Sequence, residues 1–223
     1  MFNFGFGYES ISRDYRCVRI IRNFNVEMSS IESDVMVYSL KNDSWRKAAS
    51  PSVPFDFDYH YANFVFLNDA IHWDGGFTFS ENEANEPRPI VAFNLRDERF
   101  STLPIPNVDS MDLAHMFVGV LDGSLCLSVS GLNSDTDLWV MKEYGAAGSW
   151  MKLFSFSKIY GYGGVERPIC YSMSLKKLFV HITYWQVASV DLDTMEISNV
   201  KVVNFPRCTN AHVCVENLLM LRG

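Results

Sequence analysis

The segment PFDFDYHY, Pro54 to Tyr61, is where this sequence comes nearest to a reactive constellation. Asp56 and Asp58 stand two residues apart, and paired carboxylates are the usual apparatus of glycoside hydrolysis and other acid–base work. An Asp-Phe-Asp spacing alone is a weak sign of it. The remaining reactive types are dispersed. His60, His72, His115, His181 and His212 form no H-x-x-x-H pair, and the cysteines at 17, 126, 170, 208 and 214 form no C-x-x-C. Neither set has the spacing of a metal site. There is no G-x-S-x-G elbow, and Ser128 and Ser130 lie in an apolar stretch without an evident base. Gly5 and Gly7 in FGFGY lack the following helix that a phosphate-binding loop needs. The expectation is a non-enzyme with no cofactor and no metal, with a carboxylate-based hydrolase as the alternative.

The same segment offers contact surface. Phe55, Phe57, Tyr59 and Tyr61 alternate with Asp56, Asp58 and His60. Aromatic rings beside charges suit a protein-contact hot spot. YGYGG adds Tyr160 and Tyr162, Thr183-Tyr184-Trp185 adds Tyr184 and Trp185, and SENEANE adds Glu81 and Glu83. Leaving His60 aside, these twelve residues form the expected partner-binding set. The plain alternative for any one ring is that it folds back onto the core.

Composition narrows the partner. The chain has 223 residues, 48% of them hydrophobic and 14% aromatic, enough for a core. A net charge of −7 argues against nucleic acid. No apolar run approaches the ~20 residues that span a bilayer, so no membrane partner is expected. The N-terminus, MFNFGFGYESISRDYR, lacks the pattern of a secretory signal. Five scattered cysteines fit free thiols in a reducing compartment, cytoplasmic or nuclear.

These residues must be held by repeated elements. VMVYSLKNDSWRKA, IVAFNLRDERFSTL, LWVMKEYGAAGSWMKL and VASVDLDTMEISNV each run strand, polar turn, strand, with a bulky anchor near the second strand's start. The anchors Trp45, Phe100, Trp150 and Ile197 are 55, 50 and 47 residues apart. A second hairpin recurs between them, in FVFLNDAIHW, VGVLDGSLCL, CYSMSLKKLFVHI and VCVENLLMLR, with FNFGFGY and YRCVRII as a looser first copy. Four strands at a period of ~40–50 residues mark a β-propeller, whose blades bury their faces against one another. The fold expected is all-β and propeller-like: one domain over 1–223, about four four-stranded blades at about 2–48, 62–104, 115–155 and 168–203, and two further strands at 211–222 in an incomplete ring. A β-sandwich is the rival, but it does not require an anchor to return every 50 residues.

With strands a to d in each blade, the a–b and c–d turns share one face, and the b–c loops and d–a links the other. The a–b and c–d turns are mostly short. The long connections, about 23–33, 49–63, 75–88, 104–114, 131–135, 156–167 and 204–211, all belong to the second face. The first four carry −2 each, the fifth −1 and the last two +1 each, which together equal the charge of the whole chain. One acidic rim favours a basic protein partner. The bland reading is that acidic loops keep the protein soluble.

FGFGYESISRDYRCVRI, VYSLKNDSWRKA, AIHWDGG, IVAFNLRDERFSTLPIP, Val118 to Leu127 and LWVMKEYGAAGSWMKLFSF resemble, in order and spacing, the F-box-associated interaction domain of plant F-box proteins. The resemblance spans residues 4 to about 156 and is looser beyond. Tyr38-x6-Trp45 also resembles the kelch repeat, although Gly75-Gly76 and Gly163-Gly164 do not recur in every unit. The resemblance implies a substrate receptor of SCF-type ubiquitin ligases, in which an F-box docks to the ligase adaptor and this domain holds a protein target. No F-box precedes Phe2 in this chain, and the blade usual before this opening is lacking. A fragment or a truncated, non-functional remnant is therefore an alternative. So is a carbohydrate-binding propeller, since aromatic rims also stack sugars.

Overall fold

The computed structural model describes residues 2–25, 30–50, 64–74, 89–108, 113–131, 135–156, 165–172, 176–182 and 186–200. They form four antiparallel sheets, each a meander of four consecutive strands. The first comprises β1 (Phe2–Glu9), β2 (Asp14–Asn25), β3 (Ser30–Ser39) and β4 (Ser44–Lys47). The second comprises β5 (Phe64–Leu67), β6 (Ala70–Trp73), β7 (Ile90–Asn94) and β8 (Phe100–Leu103). The third comprises β9 (Leu113–Leu121), β10 (Ser124–Gly131), β11 (Thr136–Met141) and β12 (Trp150–Phe156). The fourth comprises β13 (Val165–Ser172), β14 (Lys177–Ile182), β15 (Gln186–Asp191) and β16 (Ile197–Asn199). A short 3-10 turn at Ala147–Ser149 precedes β12.

Turn chemistry sets the strand order. Asn68-Asp69 and Asp122-Gly123 close the two-residue hairpins, and both residues of each pair have positive φ. Two-residue turns of that hand match the twist of the strands they join. The c–d turns repeat one device. Asn94 Oδ1 accepts the N–H groups of Arg96 and Asp97, and Asp191 Oδ1 those of Asp193 and Thr194. Ser39 Oγ accepts the N–H of Asn42. In each case the residue four further on, Glu98, Met195 or Asp43, has positive φ. The first hairpin arm is longer than the sequence suggests. Pairing of β2 with β3 continues to Asn25↔Ser30, so much of the expected loop 23–33 is strand. Polar residues mark a loop by composition, but main-chain pairing does not require apolar ones.

Period-2 alternation gives every inner sheet two buried faces. Val18, Ile20, Val35 and Val37 of the first sheet meet Ile71, Trp73, Val91 and Phe93 of the second. The opposite face of the second sheet, with Ile90, Ala92 and Leu103, meets Met116, Val118, Leu125 and Leu127 of the third. Cys126, Leu138 and Phe156 of the third meet Leu178, Val180, Ala188 and Val190 of the fourth. Each large apolar side chain buried in this way is worth roughly 1.5–3 kcal/mol.

The first strands of successive sheets touch: β1 with β5, β5 with β9, and β9 with β13. Gly5 and Gly7 permit the first of these approaches. A Cβ on Gly5 would stand 2.6 Å from Ile71 Cγ2, and one on Gly7 2.3 Å from Phe66 Cδ2. That is why β1 alternates glycine inward with phenylalanine outward. Sheets packed in chain order about their first strands make an arc of propeller blades. Among the described residues, no packing of the fourth sheet on the first matches these contacts. The strands expected at 211–222 lie outside the described residues.

Candidate protein-contact surface

All twelve residues of the expected partner-binding set lie outside the described residues: Phe55, Asp56, Phe57, Asp58, Tyr59, Tyr61, Glu81, Glu83, Tyr160, Tyr162, Tyr184 and Trp185. What is described is the scaffold from which their connections leave. In the first two sheets the short turns gather at one end. Ser10, in the a–b turn of the first sheet, donates its N–H and hydroxyl to Asp69, in the a–b turn of the second, at 3.2 and 2.7 Å. Arg16 donates to the Leu95 carbonyl and, at 3.2 Å, to Glu98, both in the c–d turn of the second sheet. The connections 51–63 and 75–88 leave from the opposite ends of these strands.

The turn end is an ionic joint. Arg16 lies 3.5 Å from both Glu9 and Asp14, and Arg46 pairs with Glu98. Glu9 is buried and accepts the N–H groups of Ile11 and Ser12 at 2.8 and 2.9 Å, as well as the Ser12 hydroxyl. The Ser12 hydroxyl above all, with those N–H groups and Arg16, outweighs burial and brings the Glu9 carboxyl down to about 2. Burial opposes ionisation of Asp14 too. Hydrogen bonds from the Ser39 hydroxyl at 2.6 Å and the Lys41 N–H at 2.9 Å, with Arg16, still hold its pKa low. Every charge here has a partner, so the cluster is a structural clamp rather than a reactive site. Sequence reasoning missed it because its halves are 79 to 82 residues apart.

A second joint ties the second sheet to the third. His72 is fully buried, and its Nε2 lies 2.6 Å from the Tyr144 hydroxyl. Burial holds its pKa down at about 4, so the ring stays neutral. Trp150 donates its indole N–H to the Pro104 carbonyl at 3.0 Å. Among the described residues, no group of three or more His, Cys, Asp or Glu could hold a metal. Among them also, no helix is long and apolar enough to cross a membrane.

Among the described residues, the first sheet carries the largest share of the exposed large apolar side chains, Phe4, Phe6, Ile11, Leu40 and Trp45. Phe6, Tyr15, Tyr38 and Trp45 share the face turned away from the second sheet. Phe6 stacks on Tyr15 at 5.6 Å, and Arg19 covers the Trp45 ring at 5.1 Å. Phe6 is 50% exposed and Trp45 44%. The repeat anchors were legible in the sequence, but not that the first of them would be uncovered.

Four meander sheets packed in chain order agree with the family comparison. The model of the F-box associated beta propeller domain matches residues 1–203. The chain belongs to this family. This F-box associated domain is also similar to F-box protein CPR1 of Arabidopsis thaliana, 30% identical over 97% of the chain and 56% of that protein. F-box protein At4g22390 of the same plant is 28% identical over 80% of the chain and 47% of that protein. F-box/kelch-repeat protein At3g23880, also from Arabidopsis thaliana, is 26% identical over 77% of the chain and 44% of that protein. The chain thus spans about half the length of the curated relatives it matches.

Proposed function

We propose that this F-box associated domain is the target-recognition part of an SCF-type ubiquitin ligase receptor, cytoplasmic or nuclear. It holds a protein target through the acidic, aromatic connections of one rim. The observation that carries the reading is the family match over residues 1–203, with relatives named as F-box proteins. In such a receptor, contact with the ligase adaptor is made by an F-box rather than by this domain. The chain itself supplies binding, not catalysis.

The sequence supports a basic target, because the long connections carry the formal charge of −7. A focused field of one sign speeds the encounter with the opposite one and is screened by salt. The test is capture of matched basic and acidic bait proteins on the immobilised chain at low and high salt. Preferential, salt-sensitive recovery of the basic bait supports the reading, and equal recovery of both counts against its electrostatic part. For the receptor role, the full-length gene product is precipitated from plant cells under proteasome inhibition. Co-recovery of the ligase adaptor with a ubiquitin-modified target supports the role, and consistent failure to recover the adaptor contradicts it.

A further inference from the structure

Ser50 stands where the first sheet hands the chain to the rim. Pairing of β4 runs to Ala48, whose N–H donates to the Val35 carbonyl at 2.9 Å. Ala49 and Ser50 follow outside any strand or turn, and both are exposed. Pro51 comes next in the sequence, and Ser50-Pro51 is the only Ser–Pro or Thr–Pro pair in the chain. A proline disfavours the helical region for the residue before it, which keeps Ser50 extended. It also removes the N–H that would follow the serine. Other hydroxyls of the strands and turns are engaged or enclosed. Ser10 donates to Asp69, Ser12 to Glu9 and Ser39 to Asp14, while Ser128, Ser130 and Thr136 are buried. An extended, exposed serine followed by proline is the form in which a proline-directed kinase takes its substrate. A kinase that must grip the main-chain N–H after the serine finds none here.

Charge decides what a phosphate would do there. Arg46 and Lys47 are exposed on β4, but each already has a carboxylate: Arg46 pairs with Glu98, and Lys47 lies 2.8 Å from Asp34. A phosphate on Ser50 therefore adds to the local field instead of filling a vacant cation site. The connection it opens carries Asp56 and Asp58 and no lysine or arginine as far as Asn63. A phosphoserine brings about −1.5 to −2 near pH 7, so the negative charge of this connection roughly doubles. We propose that Ser50 is a phosphorylation site for a proline-directed serine kinase, and that its phosphate strengthens the rim's hold on a basic target. In the transfer the Ser50 Oγ attacks the γ-phosphorus of ATP and the bond from that phosphorus to the β–γ bridging oxygen breaks. ADP leaves, and the hydroxyl proton passes to the kinase's base. The effect on the target rests on the acidic-rim reading proposed above; the modification itself does not.

The purified full chain is incubated with plant-cell extract, ATP and phosphatase inhibitors, and its phosphates are mapped by mass spectrometry. The proposal expects phosphate on Ser50 of the wild type. It expects at least about tenfold lower occupancy in Pro51→Ala, which keeps the serine and restores the N–H after it. An unmodified Ser50, or equal occupancy in both chains, overturns the proposal. An excess of a Ser–Pro peptide should suppress labelling of the wild type and a Ser–Ala peptide should not, which checks the same preference without altering the chain. Phosphorylated and unmodified chains are then immobilised in equal amounts and offered the matched basic and acidic baits. Recovery of the basic bait should rise at least about threefold with the phosphate at low salt and less at high salt. Ser50→Ala treated in the same way should show no rise. A basic preference that the phosphate leaves unchanged overturns the effect on the target. No preference in either state contradicts the acidic rim itself, and that effect with it, while the map of phosphates judges the modification independently.

Discussion

Tyr38 and Trp45 sit opposite each other on β3 and β4 with ring centroids 5.2 Å apart, in the register that Phe93 and Phe100 hold, at 4.8 Å, one sheet later. The second pair is enclosed by the first sheet, whereas Trp45 of the first pair is exposed. The repeat is therefore a repeat of packing duties, in which the second, third and fourth sheets each offer an aromatic or aliphatic pair to the sheet before it. Replacing Phe93, which is fully buried, with alanine is expected to cost about 3–5 kcal/mol, read as a lower urea midpoint at unchanged m-value.

Gly7→Ala tests the approach of the first strands. The new methyl meets Phe66 at 2.3 Å and Leu95 at 2.8 Å, so the inner strand or the second sheet must shift. The expected loss is about 1–3 kcal/mol. Gly123→Ala is the control for a different mechanism. A methyl there meets nothing within 4 Å, but φ is +71°, and the loss should be about 1 kcal/mol. Equal, negligible effects in both would show that the inner strands do not touch as described.

Glu98→Gln tests the clamp at the turn end. It removes the charge that faces Arg46 and Arg16 while keeping the shape. Arg16 keeps Glu9 and Asp14, so the loss should be moderate, about 1–2 kcal/mol. High salt should narrow the difference only in part, because Arg16 and Glu98 are mostly buried.

Acid should destabilise the fold in two windows. His72 has its folded pKa depressed to about 4 from 6.5, so the unfolded chain takes up the proton first. Its contribution is whole above pH 6.5 and is lost as pH falls to about 4. Glu9 is depressed to about 2 from 4.5, so its contribution is whole above pH 4.5 and is lost on the way down to about 2. His72→Phe should flatten the upper window and Glu9→Gln the lower, in plots of urea midpoint against pH. Tyr144→Phe should cost about 1–2 kcal/mol at neutral pH by leaving His72 Nε2 without its partner.

Local pattern made much of this fold legible. Alternation and the return of Trp45, Phe100, Trp150 and Ile197 predicted four-stranded units, and Asn68-Asp69 and Asp122-Gly123 predicted their hairpins. Gly5 and Gly7 stand out in the sequence, but the reason for them does not, because it is Ile71 and Phe66, more than fifty residues away. The clamp of Arg16 with Glu98 and the bond from His72 to Tyr144 were invisible for the same cause: each joins turns or strands of different sheets. The extended β2–β3 arm is not legible in the sequence, because main-chain pairing continues through polar side chains that by composition mark a loop. The contact residues rest on charge and residue type in connections outside the described strands.

The most direct test of the account separates the two ends of the sheets. One variant combines Asp56→Asn, Asp58→Asn, Glu81→Gln and Glu83→Gln. A second changes exposed turn residues at the opposite end, Lys41→Ala and Asn42→Ala. Capture of a target by each variant is measured against the wild type, with urea midpoints confirming that both are folded. The account predicts at least about a tenfold loss of target recovery for the first variant and none for the second. Undiminished capture by the first, with loss confined to the second, would contradict it.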